Sequence, residues 1–341
     1  DAVWVEYDTL PAVADVMRAS EPDAPQVHAD LSTNVMAAMP VRWGDSDDAF
    51  DRAHAVVRSK LRQHRGACLS METRGVVASE IDGRLTVWSS TQSIALLRRL
   101  LSQHLGLSDI RVIAPDVGGG FGPKGNVYPE EYVIAALALN LGAPVKWIET
   151  RREHLLTTNQ QRDLVSDLEV ACDAEGRMLG LRGRMIHDNG AFAPYGLLLP
   201  MTGLDLLQGP YTLGAIDITM DVVYTNAVPT SPIRGALRPN AAFIIERAID
   251  AVADHLGIDR FEVRRRNFIP ADAFPYAFPG DARYGGKITY DSGAYEAALD
   301  AVSDLADLAG FENRRMRSQQ RGLLRGLGVA SYVEDTGLGP F

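Results

Sequence analysis

The sequence predicts an α+β chain, mixed sheets with packed helices, and three observations carry that reading. Apolar residues recur at helical spacing in several segments, alternate at strand spacing in others, and the strand segments come in pairs joined by tight-turn residues. With 341 residues the chain is long enough for two domains and a sizeable core. Hydrophobic residues at 46% and charged residues at 23% are ordinary for a soluble globular protein. A formal net charge of -10 argues against a nucleic-acid partner. No apolar run approaches the roughly 20 residues of a membrane span, and the reading expects no signal peptide and a cytoplasmic location. The two cysteines, Cys68 and Cys172, are too few for a disulfide framework or for the thiolates of an iron–sulfur cluster. His64 lies four residues from Cys68 with no second pair nearby, so both read as partly buried side chains rather than zinc ligands.

In chain order, Asp1 to Tyr7 is expected as a strand, and Pro11, Pro22, Pro25 and Pro40 punctuate an irregular connection. Asp45 to Arg65 is expected as one amphipathic helix, with Phe50, Ala53, Val57 and Leu61 on one face and Asp45 or Ser46 as cap. Gly75 to Ile81 and Arg84 to Trp88 form a hairpin around Asp82 and Gly83. Ser93 is placed to cap a helix bearing Ile94, Leu97, Leu101 and Leu105. Gln92 therefore sits at a strand-to-helix junction, either serving the cap or pointing into a cleft.

Arg111 to Ala114 is a short strand ended by Pro115, and a loop from Asp116 to Lys124 follows. Gly118, Gly119, Gly120 and Gly122, with only Phe121 among them, allow positive φ and close approach to a ligand, with N–H groups free to face oxyanions. Pro129 suits a first helical turn, Glu130 and Glu131 favour its positive end, and Gly142 stops the helix. Gly120, Gly122 and Gly125 also satisfy G-x-G-x-x-G. Glu149, after the strand Pro144 to Ile148, stands roughly where a dinucleotide fold places its ribose-binding acid. Pro115 and Asp116 after the strand, and the stretch 125–128 before the helix, count against that reading. A Walker A reading is weaker still, because Lys124 stands between Pro123 and Gly125.

Asp167 to Cys172 and Met178 to Met185 read as a second hairpin around Glu175 and Gly176, and Gly190 to Gly209 as loops on the core. The strand at Val222 to Tyr224 leads to a Gly/Pro loop carrying Arg234 and Arg238. Asn240 then caps a helix with Phe243, Ile244, Ala248, Val252 and Leu256 inward, ended by Gly257. Arg234 is open to two readings, a surface ion pair or a guanidinium fork presented to a carbonyl or phosphate. Glu262 to Asn267 is a basic helical turn, and Asp291 to Leu308 an amphipathic helix with Tyr295, Leu299 and Val302. The stretch 337–341 is glycine-rich and apolar.

Four segments, Ser89 to Gln92, Gly118 to Lys124, Pro144 to Glu153, and Arg234 to Pro239 followed by Glu246 and Arg247, together resemble the large, molybdenum-cofactor-binding subunit of the xanthine dehydrogenase family, the molybdenum hydroxylases. The resemblance implies that residues 1–40 are the tail of a small α/β hammerhead-type domain and a connector. Residues 41–288 would be a first molybdopterin-binding domain, and 289–341 the start of a second. Gln92 matches the glutamine that hydrogen-bonds an oxo ligand of molybdenum. Gly119, Gly120, Phe121 and Gly122 match the loop whose backbone contacts the metal's oxygen ligand and the cofactor. Arg234 matches an arginine beside the substrate that stabilises developing negative charge. Gly235 and Ala236 would bring backbone close to the pyranopterin. The implied catalytic set is thus Gln92, Phe121 and Arg234, with no protein ligand to the metal, which the pterin dithiolene holds.

The same resemblance implies hydroxylation of an electron-poor carbon with water-derived oxygen, a glutamate serving as base. The pterin would be in its cytosine dinucleotide form. Iron–sulfur clusters and FAD would sit on a small and a medium partner subunit, in a dimer of heterotrimers. The carbon monoxide dehydrogenase branch carries a copper-binding cysteine immediately after the arginine. Here Gly235 stands there, which points to the related branch acting on aromatic heterocycles or aldehydes. The catalytic glutamate's glycine-rich motif has no match in these residues, so the chain is expected to be an internal fragment, inactive alone. Two rival expectations are a dinucleotide-binding module using the Gly118–Gly125 loop and Glu149, and a truncated chain without activity.

Overall fold

The computed structural model describes residues 3–281 and 286–334. A short helix α1 (Val16–Ala19) precedes strand β1 (Val35–Trp43), helix α2 (Ser46–Asp51) and strand β2 (Ala55–Gln63). The chain then builds a separate layer from β3 (Gly75–Ile81), β4 (Arg84–Ser89), α3 (Ile94–Leu105), β5 (Ile110–Ile113), α4 (Pro129–Leu141) and β6 (Val145–Ile148). After α5 (Arg151–Thr157) it returns to the first sheet with β7 (Leu164–Cys172), β8 (Met178–Gly190), α6 (Leu198–Asp205) and β9 (Ala215–Tyr224). Helices α7 (Arg238–Leu256) and α8 (Arg260–Asn267) follow, then strands β10 (Tyr276–Asp281) and β11 (Lys287–Tyr290) and helices α9 (Tyr295–Leu305) and α10 (Phe311–Gln320).

The large sheet has the order β1-β9-β8-β7-β2, with β8 and β9 parallel and the other neighbours antiparallel. The inserted sheet has the order β5-β4-β3-β6, with β4 and β5 parallel. Helix α7 lays Ala241, Ile244, Ile245, Ala248, Ile249, Val252 and Ala253 on the large sheet, an apolar stripe at the spacing expected of a core-facing helix. A second core joins Val76, Val87, Leu97, Leu101, Ile134 and Ala138 in the inserted layer.

Several expectations change. Asp45 to Arg65 is not one helix: α2 ends at Asp51 and β2 pairs with β7 over its whole length. Phe50, Ala53, Val57 and Leu61 are spaced by three and four, so the pattern was open to a helix. From Val57 onward, however, buried or half-buried positions alternate with the exposed Arg58, Lys60 and Arg62 on the outer face, a period of two. Residues 3–12 form no strand and leave Val3, Trp4, Val5 and Tyr7 exposed, while Asp1 and Ala2 lie outside the described residues, as does 337–341. The 190–209 stretch contains a real helix, α6, buried at Leu199 and Leu204. Phe243 faces outward, and α7 starts at Arg238 with Leu237 at its cap position, so Asn240 lies inside the helix. The expected last helix is shorter, Tyr295–Leu305.

Candidate functional site

Strands β4 and β5 run parallel with Trp88 opposite Ile113, so the segments leaving their C-terminal ends emerge side by side. Those segments are the Gln92 junction and the glycine loop. Gly122 N–H donates to Gln92 Oε1 at 2.9 Å, which leaves the Gln92 amide NH2 as an outward donor on an exposed side chain. Ser93 occupies the cap position of α3 without a side-chain cap bond, and the Thr91 hydroxyl accepts from Ser93 N–H at 3.0 Å instead.

The loop packs closely enough to need its glycines. A Cβ on Gly122, where φ is 119°, would lie 1.8 Å from the Pro232 carbonyl oxygen, and one on Gly120 would lie 2.4 Å from Gln92 Oε1. Phe121 keeps a positive φ of 55° with its ring 47% exposed. Its carbonyl accepts from Arg234 N–H at 2.8 Å, which stitches the glycine loop to the β9–α7 loop. Ala236 has φ 51° and Gly235 φ 92°. Two side-chain-bearing residues held in the left-handed region on facing loops mark a backbone fixed by its surroundings. Among the described residues the N–H groups of Gly120, Phe121 and Gly235 meet no acceptor.

Arg234 is exposed, and its guanidinium has no acid partner among the described residues. Among the described residues, therefore, the surface-pair reading of Arg234 finds no support. The arginine lines a groove of about 640 Å³ with Gly235, Phe243, Arg247, Val329 and Tyr332. Cys68 points its thiol at the Gly120 carbonyl at 3.8 Å, and burial pushes that thiol up, so it stays protonated.

Contacts that no motif announced hold the loop from behind. Lys124 is 2% exposed and donates from Nζ to Glu72 Oε2 at 2.7 Å. The same oxygen accepts from Gly118 N–H at 2.8 Å. Burial pushes the Glu72 carboxyl up, but Lys124 and the Gly118 N–H outweigh it and leave the group below the usual carboxylate range. Tyr128 donates to the Pro123 carbonyl at 2.9 Å and stacks under the Arg74 guanidinium, and burial pushes its phenol up to about 12. The signal that could have found Glu72 is the glycine-loop lysine itself, which once buried needs an anionic partner.

Glu149 is equally occupied. Its buried carboxylate accepts from the Arg74 backbone at 3.0 Å, Arg74 NH2 at 2.7 Å, Thr158 at 2.7 Å and His154 Nδ1 at 2.8 Å. Burial raises the Glu149 carboxyl, and the Arg74 contacts overcome this and hold it low. No oxygen is left for a ribose. A turn at Pro123–Gly125 further separates the glycines from α4, whose first residue is Pro129. With Lys124 paired internally, both phosphate-loop readings fail. His64 and Cys68 belong to no metal-sized group of His, Cys, Asp or Glu among the described residues.

The profile of the molybdopterin cofactor-binding domain matches residues 27–268. The chain belongs to that family. It is similar to the carbon monoxide dehydrogenase large chain of Hydrogenophaga pseudoflava, 35% identical over 365 residues that cover 100% of this chain and 45% of that one. It is similar also to the nicotine 6-hydroxylase large subunit of Paenarthrobacter nicotinovorans, 32% identical over 345 residues, 99% of this chain and 41% of that one. In three dimensions it resembles quinoline 2-oxidoreductase from Pseudomonas putida 86, with a TM-score of 0.84 and 31% identity over 94% of this chain and 41% of that chain. The chain thus spans less than half the length of these relatives. No described helix is long and apolar enough to cross a membrane.

Proposed function

We propose that this chain is the cofactor-binding part of the large subunit of a molybdenum hydroxylase. The single observation that carries the reading is the convergence of three segments far apart in sequence on one rim. They bring the Gln92 amide NH2 together with N–H groups of Gly120, Phe121 and Gly235 and an Arg234 guanidinium that have no partner among the described residues. This set of donors suits an oxyanionic, hydrogen-bond-accepting group such as a molybdopterin. The bound cofactor would supply two-electron oxidation of a carbon with oxygen drawn from water.

The chain's own residues have distinct tasks in this reading. Gly119, Gly120 and Gly122 bring the backbone close, and the Gly120 and Phe121 N–H groups bind anionic oxygens. Gln92, its carbonyl already engaged by Gly122, donates from its amide nitrogen to an oxygen of the cofactor. Gly235 and Ala236 present backbone to the pterin. Arg234 presents its fork to the substrate and stabilises negative charge that develops there, and the exposed Phe121 ring bounds the substrate side. None of these side chains is a metal ligand.

The substrate class is an aromatic heterocycle, aldehyde or similar small molecule. At residue 235 a cysteine would be strained by φ 92°, and its Cβ would meet Pro239 Cγ at 2.7 Å, which disfavours a copper-binding thiol here. Further parts of the proposal are the cytosine dinucleotide form of the pterin, a medium FAD subunit and a small iron–sulfur subunit in a dimer of heterotrimers, and a cytoplasmic location. The proposed division of the chain is the tail of a small α/β hammerhead-type domain with its connector to residue 40, a first cofactor domain over 41–288 and a second beginning at 289. Replacing Arg234 by alanine in the full-length complex is expected to lower kcat/KM about 10²- to 10³-fold with cofactor content retained. Unchanged kcat/KM would remove Arg234 from the substrate side.

A further inference from the structure

We propose that Glu72 is a positioning residue that clamps both ends of the glycine loop and so sets the donor array presented to the cofactor. This rests on the reading that the loop holds that cofactor. One carboxylate oxygen, Glu72 Oε2, receives Gly118 N–H at 2.8 Å from the loop's entry and Lys124 Nζ at 2.7 Å from its exit. The Glu72 N–H returns a bond to the Gly118 carbonyl at 3.1 Å, so the entry is held in both directions. Gly118 is part of the fit, since a Cβ there would lie 2.5 Å from Glu72 Cβ.

The clamp extends to Gln92. The Lys124 carbonyl accepts from Gln92 N–H at 2.8 Å, so the residue whose ammonium meets Glu72 also fixes the backbone of the outward-donating glutamine. Behind Glu72, the Ser70 hydroxyl donates to its carbonyl at 2.7 Å, and Arg151 donates to the carbonyls of Ser70 and Met71 at 2.6 and 2.9 Å. The backbone leading to Glu72 is thus held from α5, and its carboxylate meets the loop. Because the Lys124 side chain is 1% exposed, loss of its anionic partner leaves a buried ammonium, and the exit of the loop must move to rehydrate it.

The test uses the full-length chain in its native complex and compares wild type, Glu72→Leu and Glu72→Gln. The readouts are amide hydrogen exchange of the 116–125 peptide in cofactor-free protein, molybdenum per chain in loaded protein, and thermal unfolding. Glu72→Leu is expected to speed exchange of that peptide on the order of tenfold, with exchange elsewhere unchanged, and to lower molybdenum content. Glu72→Gln, which keeps an acceptor for Gly118 N–H, is expected to recover part of both. Equal exchange in wild type and Glu72→Leu overturns the clamp. Faster exchange spread over the whole chain also overturns it, reducing Glu72 to a general stabiliser. Faster exchange confined to the loop with full molybdenum content leaves the clamp standing and overturns the loop's assignment to the cofactor.

Discussion

Gly122 shows how little freedom the site leaves a single residue. Its N–H orients the Gln92 amide, its φ of 119° disfavours any side chain, and a methyl group there would run into the Pro232 carbonyl. Gly122→Ala is therefore expected to displace the loop at a cost of about 2–6 kcal/mol, the sum of overpacking and left-handed strain, and to lower molybdenum content in the full-length complex. Retention of full molybdenum would contradict the close fit. The glycines, Gln92 and Arg234 were legible in the sequence because their residue types suit a backbone cradle, an amide donor and a guanidinium fork. Which way the Gln92 amide faces was not legible, since a bond spanning 30 residues to Gly122 decides it. Glu72 was not legible either. Its partners lie 46 and 52 residues away, and no local pattern marks it.

At the scale of elements, the inserted β3–β6 layer is tied back at its edge by the Arg74–Glu149–His154–Thr158 network. Arg74 and Glu149 side chains are 7% and 0% exposed, so removing either partner strands a buried charge. Glu149→Ala is expected to destabilise the chain by about 3–5 kcal/mol, read from the denaturant midpoint, with no nucleotide affinity to lose. Loss of nicotinamide-dinucleotide binding with stability intact would revive the rival reading. The network also sets a pH dependence. The Glu149 carboxyl is held below its ordinary value of about 4.3, so its contribution is fully present above that pH and is lost as the pH falls through the folded value. Glu149→Gln is expected to flatten the acid limb of the stability curve. Hairpins and helix stops were legible through Asp82-Gly83, Gly142 and Gly257, each at positive φ. The β2 strand was not, because spacings of three and four among Phe50, Ala53, Val57 and Leu61 fit a helix as well as residues 57–63 fit a strand.

For the whole molecule, the order of events along the chain explains the site. A five-stranded sheet is begun, a four-stranded layer is inserted, and the sheet is finished. The Gln92 junction and the glycine loop thereby leave parallel neighbours β4 and β5 and meet the Arg234 loop that leaves β9. Sequence alone supplied the strands of the inserted layer and β7, β8 and the end of β9, but neither β1 and β2 nor this nesting, since strands 35–63 and 164–224 pair across more than a hundred residues. The central claim is that the rim so assembled holds a molybdenum cofactor. Its most direct test is elemental mass spectrometry of the full-length complex purified from its native cells through this chain. Stoichiometric molybdenum in wild type, lost in Gly122→Ala while the complex stays folded, is the predicted result. A folded, assembled complex without molybdenum would contradict it.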